Sequence, residues 1–241
     1  MTDSTDIVLK WVSSKGWHLH PHQRDMLQSA DLPAQLLIAP TGAGKTLAGF
    51  LPTLADLANH PHQGLHTIYV SPLKALTADI KRNLMTPIRD MNLDIKVEDR
   101  TGDTSSHIKR RQRADPPQIL LTTPESLALL ISYPEAPLIF AGLQRVLVDE
   151  IHALAESKRG DQLALALSRL NGICPTLRRV GLSATVDDPQ AITELLSGAA
   201  DACPVCVADG GPAPDISMLK TDMPPPWSGA GGRYAVEPVL A

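Results

Sequence analysis

The chain has 241 residues, and its 43% hydrophobic and 20% charged residues are ordinary for a globular protein of one large domain or one domain with a tail. A net charge of −4 excludes nucleic-acid binding through an overall basic field, and 3% aromatic residues argue against a site that works mainly by stacking bases. No apolar run approaches a membrane span, the first residues are polar and acidic, and three cysteines do not make a disulfide framework. We therefore expect a cytoplasmic protein with no membrane partner.

Residues 1–33 precede the first predicted core strand and form a helical preamble. Apolar residues at helical spacing predict a first helix, and Pro21 predicts the start of a second. The second helix carries Gln23, whose amide could bond both a donor and an acceptor on the edge of adenine. Taken alone, a glutamine at such a position is more often a surface residue without a binding role. His22 belongs to a run of alternating histidines that we expect to be solvated rather than metal-binding.

The central motif of the chain follows the apolar run 36–38. Residues 39–46 read Ala-Pro-Thr-Gly-Ala-Gly-Lys-Thr, and a helical pattern follows them, which is the strand, loop and helix context of a phosphate-binding loop. The glycines let backbone N–H groups turn toward a phosphate, the lysine adds a positive charge, and the threonine hydroxyl suits Mg²⁺. The strict pattern has Gly at position 39, where this chain has Ala. The candidate phosphate-binding residues are Thr41, Gly42, Ala43, Gly44, Lys45 and Thr46.

Three further predicted strands lead into polar loops at which helices begin. Free backbone N–H groups at a helix start can bind a phosphate, although ordinary solvated loops explain these segments about equally well. The basic run Lys109–Arg113 beside the second loop favours binding slightly. After the first loop we expect two helices, because Thr86 and Pro87 read as a cap and a first-turn proline. The three segments are the helix start at Lys74, the tight turn over residues 100–104, and the helix start at Thr123 and Pro124.

An apolar strand over residues 145–148 ends in Asp149-Glu150-Ile151-His152. A carboxylate at this point suits Mg²⁺, and a second one can orient and deprotonate an attacking water. As a four-residue string the signal is weak. At a strand end about a hundred residues after a phosphate-binding loop it is strong.

The order of predicted elements indicates an α/β fold. Strands alternate with helices from residue 35 to about 197, which predicts a mostly parallel sheet with helices on both faces. The motifs lie at carboxyl ends of strands, where open α/β sheets bind ligands. The last of these strands ends in Ser183-Ala184-Thr185, whose hydroxyls could bond the neighbouring strand end at Glu150 or His152.

From residue 201 onward proline and glycine become frequent, which predicts an irregular Pro/Gly-rich tail. We expect one short strand in this tail, near residues 216–219. Cys203 and Cys206 have metal-ligand spacing, but the only other cysteine is distant, so two free thiols are the favoured interpretation.

Taken together, these motifs resemble the first RecA-like lobe of a superfamily 2 DEAD/DEAH-box helicase, and the alanine at the start of the loop is normal there. Residues 71–76 (Ser-Pro-Leu-Lys-Ala-Leu), 100–104 (Arg-Thr-Gly-Asp-Thr) and 157–160 (Ser-Lys-Arg-Gly) resemble the large helicase-related (Lhr) family. More narrowly, they look like its bacterial branch that is associated with a DNA ligase and the DNA damage response. The similarity covers residues 17 to about 200.

The resemblance implies an ATP-dependent helicase that unwinds DNA or RNA–DNA hybrids, with ATP and Mg²⁺ as cofactors. Gln23 would read adenine, Lys45 and Thr46 would bind phosphate and Mg²⁺, and the Asp149-Glu150 pair would drive hydrolysis, with Asp149 on the metal. His152, Ser183 and Thr185 would couple hydrolysis to movement of the strand. By the same resemblance, the residues of the three polar loops that would lie along the bound nucleic-acid strand are Lys74, Arg100, Gly102, Asp103, Thr123 and Pro124.

The implied domains are the preamble 1–33, a RecA-like ATP-binding lobe over 34–200, and a linker or start of a second lobe over 201–241. Such helicases take arginine fingers from a second RecA-like lobe, and we expect this chain to stop before it. An arginine finger is worth on the order of 10³–10⁵ in rate, so we expect the 241-residue polypeptide to bind ATP–Mg²⁺ weakly and hydrolyse it very slowly.

The partners implied are a single strand of DNA or of an RNA–DNA hybrid, the second lobe, and ligase-associated repair proteins. The alternative is a stand-alone module that binds nucleotide or nucleic acid without motor activity. A small-molecule kinase would need an acceptor pocket and an arginine-rich lid, and neither is evident in the sequence.

Overall fold

The structure is a computed structural model that describes residues 5–184, 186, 188–198 and 202–208. The described residues lie in one compact unit. Within this part of the chain, no helix combines the length and the apolar character that crossing a membrane requires.

The described residues form one sheet of seven strands. The strands are β1 (Ala34–Ile38), β2 (Thr67–Val70), β3 (Val97–Arg100), β4 (Ile119–Thr122), β5 (Arg145–Val148), β6 (Arg178–Ser183) and β7 (Val205–Val207). Their order across the sheet is β3-β4-β2-β5-β6-β1-β7, and every neighbouring pair is parallel. The predicted α/β fold with a parallel sheet is confirmed.

Ten helices connect and flank these strands in the described part of the chain. They are α1 (Asp6–Ser14), α2 (Pro21–Gln28), α3 (Lys45–Asn59), α4 (Lys74–Asp90), α5 (Ser106–Ala114), α6 (Pro124–Ile131), α7 (Ala136–Ile139), α8 (His152–Ala155), α9 (Lys158–Ile173) and α10 (Gln190–Ser197). The short helix α7 was not expected from the sequence.

Each face of the sheet has its own hydrophobic core, because successive side chains of a strand point to opposite faces. Leu37 of β1 packs in a core with residues of α1, α2, α3 and α4. Its neighbour Leu36 packs in a second core with residues of α6, α9 and α10. Helices therefore cover both faces, as predicted, and the preamble helices α1 and α2 share a core with the sheet.

Helix α4 corrects the expectation of two helices on either side of Thr86. It continues through Pro87 to Asp90. Ile80, Leu84 and Ile88 form one buried stripe at helical spacing against the first core. Packing along this stripe outweighs the backbone hydrogen bond that the proline cannot make.

Strand β7 corrects the expectation that the chain is irregular from residue 201. It pairs with β1 in parallel, and the backbone N–H of Leu36 donates to the Pro204 carbonyl at 2.9 Å. Val207 is 67% exposed, so this short edge strand carries no buried pattern that the sequence could reveal. The strand expected near residues 216–219 and the rest of the tail lie outside the described residues.

The topology brings the predicted motifs to one edge of the sheet. Since all the paired strands are parallel, the loops that follow β1 to β6 lie at the same edge. Strand β6 lies between β1, which leads into the phosphate-binding loop, and β5, which leads into Asp149 and Glu150. The two central motifs therefore sit two strands apart, with Ser183 between them.

Candidate functional site

The loop over residues 39–44 joins β1 to α3. Gly42 and Gly44 adopt φ angles of 85° and 75°, in the left-handed region that favours glycine. Lys45, the first residue of α3, is only 7% exposed, and its Nζ donates to the carbonyl oxygen of Ala39 at 2.8 Å. The lysine side chain thus reaches back across the loop, and its phosphate-binding role stays a prediction.

Helix α2 packs against the back of this loop. A Cβ atom on Gly44 would lie 2.7 Å from Nε2 of Gln23, and the Gln23 Oε1 accepts from the backbone N–H of His20 at 2.9 Å. The amide oxygen of Gln23 is therefore engaged within its own helix, and its adenine-reading role stays a prediction. His22 corrects the expectation of a solvated histidine, because it is buried and its Nε2 lies 2.9 Å from the Ala43 carbonyl oxygen.

The phosphate-binding loop and Glu150 open onto the same cavity, of about 520 Å³. Its lining includes the loop and carboxylate residues Thr41, Gly42, Gly44, Lys45, Thr46 and Glu150. Apolar side chains also line it, among them Trp11, Trp17, Phe50, Ile80 and Leu84. The sequence-predicted phosphate loop and the carboxylate that follows Asp149 are thus brought to one cleft.

Asp149 is 5% exposed and uses both carboxylate oxygens. Oδ2 accepts a hydrogen bond from the hydroxyl of Tyr69 in β2, and Oδ1 accepts from the backbone N–H of Glu150 at 2.9 Å. Burial raises the pKa of Asp149, while these hydrogen bonds and the nearby positive charge of Lys45 oppose that rise. Tyr69 was not recognised from the sequence, where it reads as an apolar strand residue.

Glu150 occupies an unusual backbone position at the end of β5. Its φ angle is 47°, in the left-handed region that non-glycine residues rarely adopt and that often marks functional sites. Its Oε2 lies 3.4 Å from Nε2 of His152, and Nδ1 of His152 lies 3.1 Å from the Ser183 hydroxyl oxygen. These contacts connect the candidate water-activating carboxylate to the end of β6. Thr185 lies outside the described residues.

Two of the three polar loops meet through side chains. Lys74 Nζ lies 2.6 Å from Oδ2 of Asp103, and both side chains are more than 60% exposed. Lys109 of α5 donates to the Gly102 carbonyl oxygen at 2.9 Å. The exposed charges after β2 and β3 therefore lie side by side on the surface.

The remaining candidates for strand contact are turned inward. Arg100 is 3% exposed and donates to the Lys109 carbonyl at 3.0 Å and to Oε1 of Gln112 at 3.3 Å. Thr123 is 7% exposed and caps α6, and Pro124 is buried in its first turn. Since their polar groups are engaged within the protein, contact of these three residues with a bound strand stays a prediction.

A further link between loops was not predicted. Arg159, at the start of α9, donates to both carboxylate oxygens of Glu125 in α6 and to the carbonyl oxygen of Pro72. One side chain thus ties the loop after β2 to the loop after β4. Spacing along the chain gives no signal for this contact, because it depends on the packing of α6 against α9.

Comparison with known proteins shows that this chain is similar to helicases. The profile of the DEAD/DEAH box helicase family matches residues 18–193. An Lhr helicase of Mycolicibacterium smegmatis is 43% identical over 205 residues, and an ATP-dependent helicase Lhr-Core protein 2 of Thermococcus barophilus is 38% identical over 209 residues. The solved structure of the Mycobacterium smegmatis helicase Lhr bound to ssDNA and AMP-PNP matches with a TM-score of 0.79 at 37% identity.

These matches cover most of this chain and a small part of each relative. The two Lhr relatives align with 79% and 80% of this chain, but with 13% and 24% of their own lengths. The solved Lhr structure covers 86% of this chain and 28% of its own chain. The chain therefore spans about a quarter or less of the length of these two curated relatives.

Proposed function

This chain belongs to the DEAD/DEAH box helicase family, and we propose that it is the ATP-binding lobe of an ATP-dependent nucleic-acid helicase. The observation that carries the proposal is the shared cavity, which Lys45, Thr46 and Glu150 line together. The solved relative that was bound to AMP-PNP and ssDNA supports ATP as the nucleotide and a single strand as the second ligand.

The residues of the site fit a bound Mg²⁺. Each carboxylate oxygen of Asp149 accepts one hydrogen bond in the structure, so each keeps a lone pair for a cation. The Thr46 hydroxyl and the Asp149 carboxylate would hold the ion. When bound, Mg²⁺ would neutralise charge on the phosphate oxygens.

Different protein groups then bind the phosphates and activate the water. Backbone N–H groups of the loop and the Lys45 ammonium bind and orient the phosphates. Glu150 orients the attacking water and accepts its proton. His152 and Ser183 connect Glu150 to β6, which supports their role in coupling hydrolysis to movement of the strand.

We further propose that the single strand crosses the carboxyl edge of the sheet near Lys74, Gly102 and Asp103. The loops after β2, β3 and β4 lie along this edge. DNA is the proposed strand, with an RNA–DNA hybrid as a variant. From the motifs over residues 71–76, 100–104 and 157–160 we also propose a role in DNA repair in the cytoplasm, with ligase-associated proteins as partners. A second RecA-like lobe would complete the nucleotide cleft.

An ATPase assay with excess protein, with and without single-stranded DNA or RNA, tests the proposal. We expect the 241-residue polypeptide by itself to bind ATP–Mg²⁺ weakly and to hydrolyse it very slowly, because an arginine finger from a second lobe is worth on the order of 10³–10⁵ in rate. Fusion to a second RecA-like lobe should then raise strand-stimulated turnover. A polypeptide that binds ATP but gains no turnover from the added lobe would support the alternative, a binding module without motor activity.

A further inference from the structure

Helix α2 contacts the phosphate-binding loop through His22, a side chain outside the assigned site. His22 is 6% exposed, and its Nε2 lies 2.9 Å from the Ala43 carbonyl oxygen. A carbonyl oxygen can only accept, so Nε2 carries a proton and donates it. This hydrogen bond joins two points that lie 21 residues apart in the sequence, one of them inside the loop.

The bond to Ala43 determines the orientation of the next N–H group. The peptide between Ala43 and Gly44 is trans, and in a trans peptide the C=O and N–H bonds point in opposite directions. Holding the Ala43 carbonyl toward α2 therefore turns the Gly44 N–H away from α2. A rotated peptide would present a carbonyl oxygen in place of that donor, and an oxygen would repel a phosphate.

The surroundings of His22 restrict this peptide further. Nε2 of Gln23 lies 2.7 Å from the place where a Cβ on Gly44 would be, so the amide packs directly against the glycine. The rings of His20 and His22 stack with their centroids 5.5 Å apart and their planes within 7°. The first turn of α2 is thus a preformed support for residues 43 and 44.

We propose that His22 is a positioning residue that fixes the Ala43 carbonyl and so presents the Gly44 N–H to a phosphate. This inference rests on the proposed binding of ATP by the loop. His22 acts through the backbone and needs no contact with the nucleotide itself. A residue that only stabilised the fold would change the unfolding temperature and leave the nucleotide affinity of the folded protein unchanged.

The test compares two variants of similar side-chain size in the 241-residue chain. H22Q keeps an N–H donor that can reach the carbonyl, whereas H22M keeps the apolar volume and removes the donor. Affinity for a fluorescent ATP analogue with Mg²⁺ is measured beside the unfolding temperature. We expect H22M to bind about tenfold more weakly and H22Q to stay within about threefold of the parent chain, as expected for one hydrogen bond.

Three controls make the result decisive. H18M changes an exposed histidine of the same segment and should bind like the parent. H22N, whose amide is too short to reach Ala43, repeats the loss of the donor if H22M does not unfold cooperatively. If folded H22M or H22N binds the nucleotide with the affinity of the parent, the positioning role is wrong. If the parent binds no ATP, or if K45A binds as tightly as the parent, the proposed function is wrong instead.

Discussion

Nδ1 of His152 lies 3.1 Å from the Ser183 hydroxyl oxygen and accepts from the backbone N–H of Ala184 at 3.4 Å. A backbone N–H can only donate, so Nδ1 is unprotonated and the proton of the neutral ring sits on Nε2. That Nε2 lies 3.4 Å from Oε2 of Glu150. The end of β6 therefore sets the tautomer of a histidine that faces the proposed water-activating carboxylate.

The first prediction concerns this tautomer. In the neutral state, ¹H–¹⁵N correlations of the ring should report the Nε2–H form of His152. S183A should keep that form and broaden the ring signals, because only the longer Ala184 contact remains. S197A, which removes a hydroxyl at the far end of α10, should leave the ring signals unchanged. A neutral His152 with its proton on Nδ1 would contradict the proposed link between β6 and Glu150.

The second prediction separates binding from hydrolysis. E150Q removes the carboxylate that would accept the proton of water and keeps the shape of the side chain. Hydrolysis under single-turnover conditions should fall by at least about a hundredfold, the usual contribution of a general base, while ATP affinity stays within about twofold. E156Q, an exposed change nearby, should hydrolyse ATP as the parent does. If E150Q turned over at the parental rate, the base would be another group.

The third prediction concerns stability in acid. It involves His66, which directly precedes β2 and so lies at the edge of the sheet opposite to the phosphate-binding loop. Burial, with the nearby charge of Arg145, lowers the pKa of His66 from 6.5 to about 3. The unfolded chain therefore binds a proton between these two values that the folded chain does not. The stabilising contribution of the neutral ring is present above about pH 6.5 and is lost as the pH falls toward 3.

Denaturant unfolding at pH 7 and pH 5 measures this effect. From pH 7 to pH 5 the free energy of unfolding should fall by on the order of 1–2 kcal/mol more in the parent than in H66Q. His60 is an exposed histidine that lines a separate small cavity together with His66, and H60Q should keep the parental pH dependence. If the free energy of unfolding fell equally from pH 7 to pH 5 in the parent and in H66Q, the folded protein would not keep His66 unprotonated.

The elements and their order could be predicted from the sequence because the strand-to-loop junctions are marked locally. At the ends of β2, β4, β5 and β6 an apolar run gives way to Ser, Thr or Asp, and parallel pairing then brings the loops together. Residues whose hydrogen-bond partners lie on a neighbouring strand could not be identified in this way. Tyr69 reads as an apolar strand residue, and only its register opposite Leu147 in β5 brings its hydroxyl to Asp149.

The surroundings of charged residues could not be predicted for the same reason. Arg100 begins a polar loop in the sequence, and only the packing of α5 shows that Gln112 and the Lys109 carbonyl engage its guanidinium. Arg145 reads as the polar start of a strand, yet it is fully buried and pairs with Asp56 of α3 at 2.9 Å. Tertiary packing decides whether such a group faces solvent, and periodicity along the chain carries no information about it.

The central claim is that Lys45 and Asp149 serve one bound triphosphate. Calorimetric titration of Mg–ATP into K45A and D149N tests it most directly. K74A and D103N are the controls, because each also removes one lysine or one aspartate charge, in this case from an exposed ion pair. Affinity should fall at least about tenfold in each of the first two variants, as expected for loss of a charged contact, and stay within about twofold in the others. Parental affinity in either K45A or D149N would contradict a site shared by the lysine and the carboxylate.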